Sequence, residues 1–205
     1  MGVMHDIFKK GNYVDNPYKS FFEIKAKDLN NNMIHMNQFY KNIVLVVNIS
    51  PVDKNLKEEY DKLIQLKESF KDEKFEILAF PSAQLDNVEL SDREMKEQLM
   101  SIDYVKENSN KIKLFNRVYL NGEEISEVFK YLYRNSSLFM YREGKSVLLN
   151  ENNSKFLVSR DGQVYSYFGS HTDIDEIKKN INYLLAQKVD NQPNRNDFIN
   201  FNKFY

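Results

Sequence analysis

The sequence predicts an α/β protein with a central mixed β-sheet flanked by helices, and two stretches carry this prediction. The run IVLVVNI at residues 43–49 is rich in β-branched residues and Leu, which is typical of a strand buried on both faces. Pro51 ends it, because proline has no N–H to donate to a neighbouring strand. A second apolar run, FEILAF at residues 75–80, ends in the same way at Pro81. We therefore predict two buried strands at the centre of the sheet.

The segment between these two strands changes its period and predicts a helix. From Leu56 to about Phe70, apolar residues recur every three or four positions, with charged residues between them. This spacing places the apolar side chains on one face of a helix. A strand, a helix and a second strand form a parallel unit, and the loop at residues 50–55 leaves the carboxyl end of its first strand. In open α/β sheets, loops of this kind usually carry the chemistry.

Turn and capping signals predict the elements on either side of this unit. Short strands at residues 20–26 and 33–36 flank an Asn-rich turn and predict an N-terminal β-hairpin. Ser91 and Glu94 form a capping box, and Gly162 lies in a hairpin turn. The other predicted elements are a helix at 94–102, a partial apolar run at 114–120, a helix at 124–134, an irregular stretch at 135–150, strands at 155–159 and 163–168, and a helix at 173–188 that opens with Asp173 and Glu176 as a second capping box.

These elements group into one domain at residues 19–188. A polar segment at residues 1–18 precedes it and is predicted to be a flexible arm, and an Asn-rich tail at residues 189–205 follows it. Aromatic residues recur in this tail at short, regular intervals, which indicates docking on the domain or on a partner protein. They are Phe198, Phe201, Phe204 and Tyr205.

Composition excludes several classes of function. The 205 residues carry a formal net charge of -1, which gives no reason to expect nucleic acid or an anionic membrane as partner. No apolar stretch is long enough to span a bilayer, and the first ten residues lack the apolar segment of a signal peptide, so we expect a cytoplasmic protein. The chain has no cysteine, which excludes disulfides, thiolate metal sites and thiol chemistry. The histidines, His5, His35 and His171, lack metal-ligand spacing.

The predicted order of elements is that of a thioredoxin-like α/β sandwich, and four stretches resemble the glutathione peroxidase family. They are residues 20–28 (SFFEIKAKD), 47–60 (the strand, loop and helix), 77–84 (ILAFPSAQ) and 152–162 (NNSKFLVSRDG). The spacing between these blocks agrees with the family pattern to within a few residues. The resemblance implies that fold for most of the chain and, by lineage, a thiol-dependent peroxidase.

The residues at the family's functional positions depart from its pattern. The resemblance implies a cysteine or selenocysteine in the loop after the first central strand, supported by Gln, Trp and Asn. The matching positions in this chain are Asp53, Gln84, Glu151 and Asn152, and Lys54 replaces the Gly that usually follows the nucleophile. Two carboxylates therefore stand where the family has its nucleophile and its aromatic partner.

This departure predicts a loss of the family's reaction. Peroxide reduction needs a thiolate or selenolate that attacks the O–O bond and is then restored from a sulfenic-type state, and a carboxylate cannot follow that cycle. We therefore predict a pseudoenzyme that serves as a non-catalytic binding or assembly module, without a cofactor and with an unknown protein partner. Two alternatives stay open: a glutathione- or thioredoxin-dependent peroxidase in oxidative-stress response, as the lineage implies, and a hydrolytic activity built on Asp53 and Glu151.

The same positions also allow a cation site or purely structural roles. Two nearby carboxylates repel unless a proton or a cation settles between them, so Asp53 and Glu151, joined by Asp86, form a speculative site for Ca²⁺ or Mg²⁺. Separate solvated side chains are the simpler expectation. In that case Gln84 and Asn152 satisfy backbone groups at loop ends, Asp53 caps the following helix, and Glu151 is exposed.

Overall fold

A computed structural model describes residues 11–187, and a five-stranded sheet lies at its centre. The strands along this range are β1 (Asn12–Tyr13), β2 (Lys25–Lys27), β3 (Met33–His35), β4 (Ile43–Ile49), β5 (Phe75–Pro81), β6 (Lys113–Leu114), β7 (Phe139–Met140), β8 (Lys145–Ser146), β9 (Lys155–Val158) and β10 (Val164–Phe168). The α-helices are α1 (Leu56–Ser69), α2 (Asp92–Ser101), α3 (Asp103–Glu107), α4 (Glu127–Arg134) and α5 (Ile174–Ala186).

The central sheet has the strand order β10-β9-β4-β5-β6 and is mixed, as predicted. β5 runs parallel to β4 and to β6, whereas β9 runs antiparallel to β4 and to β10. Leu45 of β4 lies beside Ile77 of β5 on one side and Leu157 of β9 on the other. The prediction of two parallel central strands joined through α1 is confirmed.

Both faces of the sheet are covered, which explains why β4 has apolar residues at nearly every position. Leu45 and Val47 pack into a core with α1, α2 and α5, whereas Val44 and Val46 pack into a second core with α4. Because side chains alternate across a strand, each face of β4 needs its own apolar set. None of the helices within residues 11–187 combines the length and hydropathy that a bilayer crossing needs.

The predicted N-terminal hairpin is confirmed, but its first strand begins later than the sequence suggests. β2 and β3 pair antiparallel, with Ala26 beside Ile34. The predicted strand at residues 20–26 is wrong in its first part, where Phe21–Glu23 form a short 3-10 helix. Phe21 and Phe22 are both buried in one core, which a strand cannot achieve because its adjacent side chains point to opposite faces.

Two segments predicted to lack regular structure contain short strands instead. β1 and β7 both pair antiparallel with β8, so part of the predicted arm at residues 1–18 and part of the irregular stretch at 135–150 form a small separate sheet. Val14, just after β1, is 2% exposed. The arm prediction is therefore wrong for this part; two-residue strands show no periodicity from which they could be predicted. Residues 1–10 and the tail at 189–205 lie outside the described range.

The helices mostly agree with prediction and differ at their ends. The capping box is confirmed, since the Ser91 hydroxyl accepts from the Glu94 N–H and the Glu94 carboxylate accepts from the Ser91 N–H. α2 begins two residues earlier than predicted, and α3 was not predicted. α4 begins at Glu127, later than predicted, because Ser126 caps it. The second predicted capping box is not formed, because Asp173 accepts instead from the N–H two residues on.

Candidate functional site

Three loops that carry the predicted site residues meet at one edge of the sheet. The carboxyl ends of the parallel strands β4 and β5 lie at the same edge, and the antiparallel strand β9 begins there. The loop at 50–55 therefore lies near the short 3-10 helix Gln84–Asp86 and near residues 151–154. The resemblance to the family, on which the cation site of Asp53, Glu151 and Asp86 is based, implies this proximity. The contacts within the site decide what each side chain does.

Asp53 is half-buried and both of its carboxylate oxygens accept hydrogen bonds. One oxygen accepts from the Asn55 N–H at 2.9 Å, which closes a turn just before α1. The other accepts from the Asn153 side-chain amide at 3.1 Å. Asp53 is thus close to the predicted capping role, although the cap position itself belongs to Asn55. A carboxylate held in this way is a structural link between the loop and the start of β9.

Asn153 and Lys155 are site residues that the sequence analysis did not identify. Asn153 has a φ of 61°, which Asn tolerates better than most residues, and its backbone carbonyl accepts from the Lys155 ammonium at 2.7 Å. Lys155 is 2% exposed and lies 3.5 Å from a carboxylate oxygen of Glu59 on α1. Burial lowers the pKa of Lys155, and attraction to Glu59 offsets only part of this effect. The signal was present in the sequence as a lysine at the first position of the predicted strand at residues 155–159.

Gln84 uses its side-chain amide to hold the turn at residues 120–122. Its oxygen accepts from the N–H groups of Leu120 and Asn121, at 2.9 and 3.0 Å, and its NH₂ donates to the Asn121 carbonyl at 2.9 Å. The Asn121 side chain continues this network to both backbone groups of Leu149. Gln84 therefore satisfies backbone groups, which is the structural role that the sequence analysis left open for it.

Glu151 turns toward the end of β10, and the expectation that it is exposed is wrong. Its carboxylate accepts from the Ser170 hydroxyl at 2.7 Å and from the Ser170 N–H at 2.9 Å. Gly169 lies so close that a Cβ there would come within 2.7 Å of the carboxylate. Burial favours a higher pKa for Glu151, but the hydrogen bonds from Ser170 and Tyr167 outweigh it, so this pKa lies below the usual 4.5.

Asn152 pairs with Asp86 rather than with Asp53. Its side-chain amide donates to both carboxylate oxygens of Asp86, at 3.2 and 3.1 Å. This pair joins the start of β9 to the 3-10 helix after β5. The four predicted positions thus lie at one edge of the sheet, and each has its own partner instead of a shared centre.

The speculative cation site is not formed by the described residues. Within residues 11–187, no three His, Asp or Glu side chains form a group that could hold a metal ion. Glu151 is turned to Ser170, Asp86 is held by Asn152, and Asp53 is held by Asn153, so the three proposed ligands serve three separate contacts. Asp53 and Glu151 are thus held by Asn153 and Ser170, on separate sides of the site, rather than by a shared partner.

Comparison with known proteins identifies relatives over most of the chain. A family model described as glutathione peroxidase matches residues 21–133. The chain is 31% identical over 168 residues to the Probable phospholipid hydroperoxide glutathione peroxidase of Mesembryanthemum crystallinum, covering 82% of this chain and 94% of that protein. It is 28% identical over 170 residues to Glutathione peroxidase 1 of Caenorhabditis elegans, covering 83% and 99% of the two chains.

Solved structures confirm the thioredoxin-like α/β fold. The crystal structure of Trgpx in apo form matches with a TM-score of 0.64 at 22% identity, covering 83% of this chain and 98% of the other. The crystal structure of T. cruzi GPX1 matches with a TM-score of 0.62 at 17% identity, covering 82% and 97%. These likenesses concern the fold alone.

The role of Gln84 can be tested through stability. Gln84→Ala removes three hydrogen bonds and leaves the N–H groups of Leu120 and Asn121 without their acceptor, so we expect unfolding in urea to become easier by about 1–3 kcal/mol. Gln65→Ala, on the exposed face of α1, is the matched control and should change stability little. Equal midpoints for the two variants would contradict the assigned role of Gln84.

The contact between Glu151 and Ser170 predicts a pH-dependent contribution to stability. A carboxylate with a lowered pKa in the folded state stabilises that state above its unfolded pKa, and this contribution is lost as pH falls through the folded pKa. Glu151→Gln should therefore lower the melting midpoint at neutral pH, and its difference from the parent should shrink once pH falls below 4.5. A difference independent of pH, or one equal to that of the exposed control Glu73→Gln, would contradict this prediction.

Proposed function

Because the chain belongs to the glutathione peroxidase family but carries Asp53 at the position of the family's nucleophile, we propose that it is a non-catalytic member that serves as a binding or assembly module. The observation that carries this proposal is the absence of any cysteine in the 205 residues. According to this proposal, the chain has the fold of the family but does not carry out its redox cycle.

The chemistry of the replacement supports this proposal. In the family reaction, as the resemblance implies it, a thiolate or selenolate attacks the O–O bond, takes up one oxygen and is returned to its reduced form by a thiol. The Asp53 carboxylate has no sulfur to oxidise, and no other residue of the chain supplies a thiol. The Asn153 amide donates a hydrogen bond to this carboxylate, and this contact links the loop at residues 50–55 to the start of β9.

The surroundings of Asp53 support the same conclusion. Gln84, which matches the supporting glutamine of the family, uses its amide oxygen and one amide N–H to hold the turn at residues 120–122. Glu151, which replaces the supporting Trp, faces Ser170. Peroxidase activity is the second candidate, and family membership favours it. It would require a nucleophile other than the one that the family uses.

The partner and the location belong to this proposal as well. A protein partner bound through the tail at residues 189–205 follows from the regular aromatic residues of that segment. The near-zero net charge favours a protein over a nucleic acid. We propose a cytoplasmic location, whereas two Arabidopsis thaliana relatives are described as mitochondrial and chloroplastic, so cell fractionation is the direct test.

An activity assay tests the catalytic half of the proposal. With hydrogen peroxide or an organic hydroperoxide, and with either glutathione or thioredoxin as reductant, coupled NADPH oxidation should equal the blank without protein. Turnover that rises with protein concentration and is lost in Gln84→Ala or Asp53→Ala would overturn the proposal. A curated relative that contains the nucleophile serves as the positive control for the assay.

The same assay includes a variant that restores the thiol. Asp53→Cys should have a thiol pKa near the ordinary value of about 8.5, measured from the pH dependence of its alkylation rate, because the amides of Gln84 and Asn152 already have partners and the change frees only the neutral amide of Asn153. Its peroxidase turnover should stay close to that of Asp53→Ser, the matched variant without a thiol. Turnover far above that of Asp53→Ser would show that the surrounding site is still competent for catalysis.

A capture experiment with the full chain tests the binding half. The triple variant Phe198→Ser/Phe201→Ser/Phe204→Ser should lose a partner that the parent captures, because it removes the apolar side chains that would dock. The control Asn196→Ser/Asn200→Ser/Asn202→Ser changes the same segment without removing an aromatic ring. An unchanged set of captured proteins in the aromatic variant would contradict a role of the tail.

A further inference from the structure

A cavity of about 450 Å³ lies apart from the site around Asp53. It is bounded by the β2–β3 hairpin, α2 and β6 and opens to solvent, and its walls include none of the residues that match the family's functional positions. Small-molecule sites in proteins measure about 300–1,000 Å³, so this cavity has the size of a ligand site. β6 is an edge strand of the central sheet, and the hairpin reaches it through a bridge between Asp28 and Phe115.

One part of the cavity wall is apolar. Phe39 and Phe115 belong to the core on the α4 side of the sheet, whereas Met100 and Leu114 pack at the margin of the core on the other side. The cavity therefore opens where the two cores meet at the edge of the sheet. An alkyl chain placed there would leave water and contact both aromatic and aliphatic side chains.

The other part of the wall carries a net positive charge, because two lysines stand against the single carboxylate of Asp28. Lys96 and Lys113 line the cavity, and no salt bridge within residues 11–187 involves either of them. The Lys96 ammonium donates to the side-chain oxygen of Asn30 at 2.8 Å, which leaves two of its three N–H groups for a ligand. Lys113 is exposed.

Asp28, the carboxylate in the wall, is occupied by its own turn. It accepts from the Asn30 N–H at 2.8 Å, from the Asn32 N–H at 2.9 Å and from the Asn32 side-chain amide at 3.0 Å. Burial acts against its ionisation, but these hydrogen bonds, together with the attraction of Lys96, outweigh burial and lower the pKa of Asp28. Asp28 thus remains ionised. Two lysines against one carboxylate leave the wall with a net positive charge that favours an anion.

We propose that this cavity binds a single-chain amphiphilic carboxylate, such as a medium-chain fatty acid. The carboxylate lies by Lys96 and Lys113, and the alkyl chain lies against Phe39, Met100 and Phe115. This charge complementarity favours a monomeric anion over a neutral apolar molecule. The proposal does not depend on whether the chain is catalytic, since it concerns a different surface.

Calorimetric titration with decanoate and with 1-decanol distinguishes the contribution of the charged carboxylate from that of the alkyl chain. The parent protein should bind one decanoate saturably below the concentration at which decanoate aggregates, and should bind 1-decanol about tenfold more weakly. Partly exposed ion pairs contribute modestly and are screened by salt, so about 0.5 M NaCl should weaken decanoate binding and leave 1-decanol binding unchanged. Absence of decanoate binding, or equal affinity for both ligands, would overturn the proposal.

Two variants locate the binding. Lys96→Gln/Lys113→Gln should weaken decanoate binding about tenfold and change the melting midpoint little, because the amide introduced at position 96 can still donate to Asn30 and Lys113 is exposed. The control Lys57→Gln/Lys179→Gln removes the same charge from exposed helix positions and should bind decanoate as the parent does. Equal affinities of these two double variants would overturn the assignment to this cavity.

A third variant and a vesicle assay complete the test. Met100→Trp fills the apolar part and should abolish binding of both ligands, with circular dichroism verifying that the fold is kept; unchanged binding in the folded variant would overturn the proposal. Co-sedimentation with phosphatidylglycerol vesicles should be absent. Sedimentation that requires Lys96 and Lys113, without binding of monomeric decanoate, would instead assign the surface to a membrane.

Discussion

The pairing of β4 with a strand on each side is the constraint on which the remaining structure depends. All seven residues of Ile43–Ile49 are buried, and the strand bonds to β5 in parallel and to β9 in antiparallel. A parallel neighbour requires a crossover connection, which α1 supplies. The antiparallel neighbour β9 has its N-terminal end at the edge of the sheet where β4 has its C-terminal end. The loops that carry Asp53, Gln84 and Asn152 therefore meet because the strands do, whatever residues those loops contain.

The same edge shows how a family framework can persist without the family's nucleophile. Lys155 is buried at the start of β9, and a buried ammonium is costly unless it has partners. The Asn153 carbonyl and the Glu59 carboxylate are these partners. Because the buried Lys155 needs them, the position of the backbone before β9 is fixed without any requirement of catalysis. Gln84 is fixed in a comparable way by the backbone of residues 120–122. Contacts of this kind are structural, so they do not show whether the chemistry of the site is present.

Much of the fold follows from patterns within single segments, and much of the site does not. β4, β5, α1 and the β9–β10 hairpin were predictable because each shows a long apolar period or a turn signal in one continuous stretch. The short strands β1, β7 and β8 give no such signal. The partner of Glu151 is Ser170, 19 residues away, and the partner of Asn152 is Asp86, 66 residues away. Such pairings arise from how strands are arranged, so proximity at the edge was predictable while the choice of partner was not.

The attachment of β1 has a consequence for the order in which the protein assembles. Asn12 donates to the Asn121 side chain and accepts from the Gly122 N–H, and these contacts join residues 109 and 110 positions apart. Closing so long a loop costs chain entropy, and two backbone pairs with β8, a few side-chain bonds and the burial of Val14 offset this cost. We therefore expect β1 to dock late in folding, onto a sheet that has already formed. It should also be the first strand to exchange its amide hydrogens, detaching from a domain that otherwise stays folded.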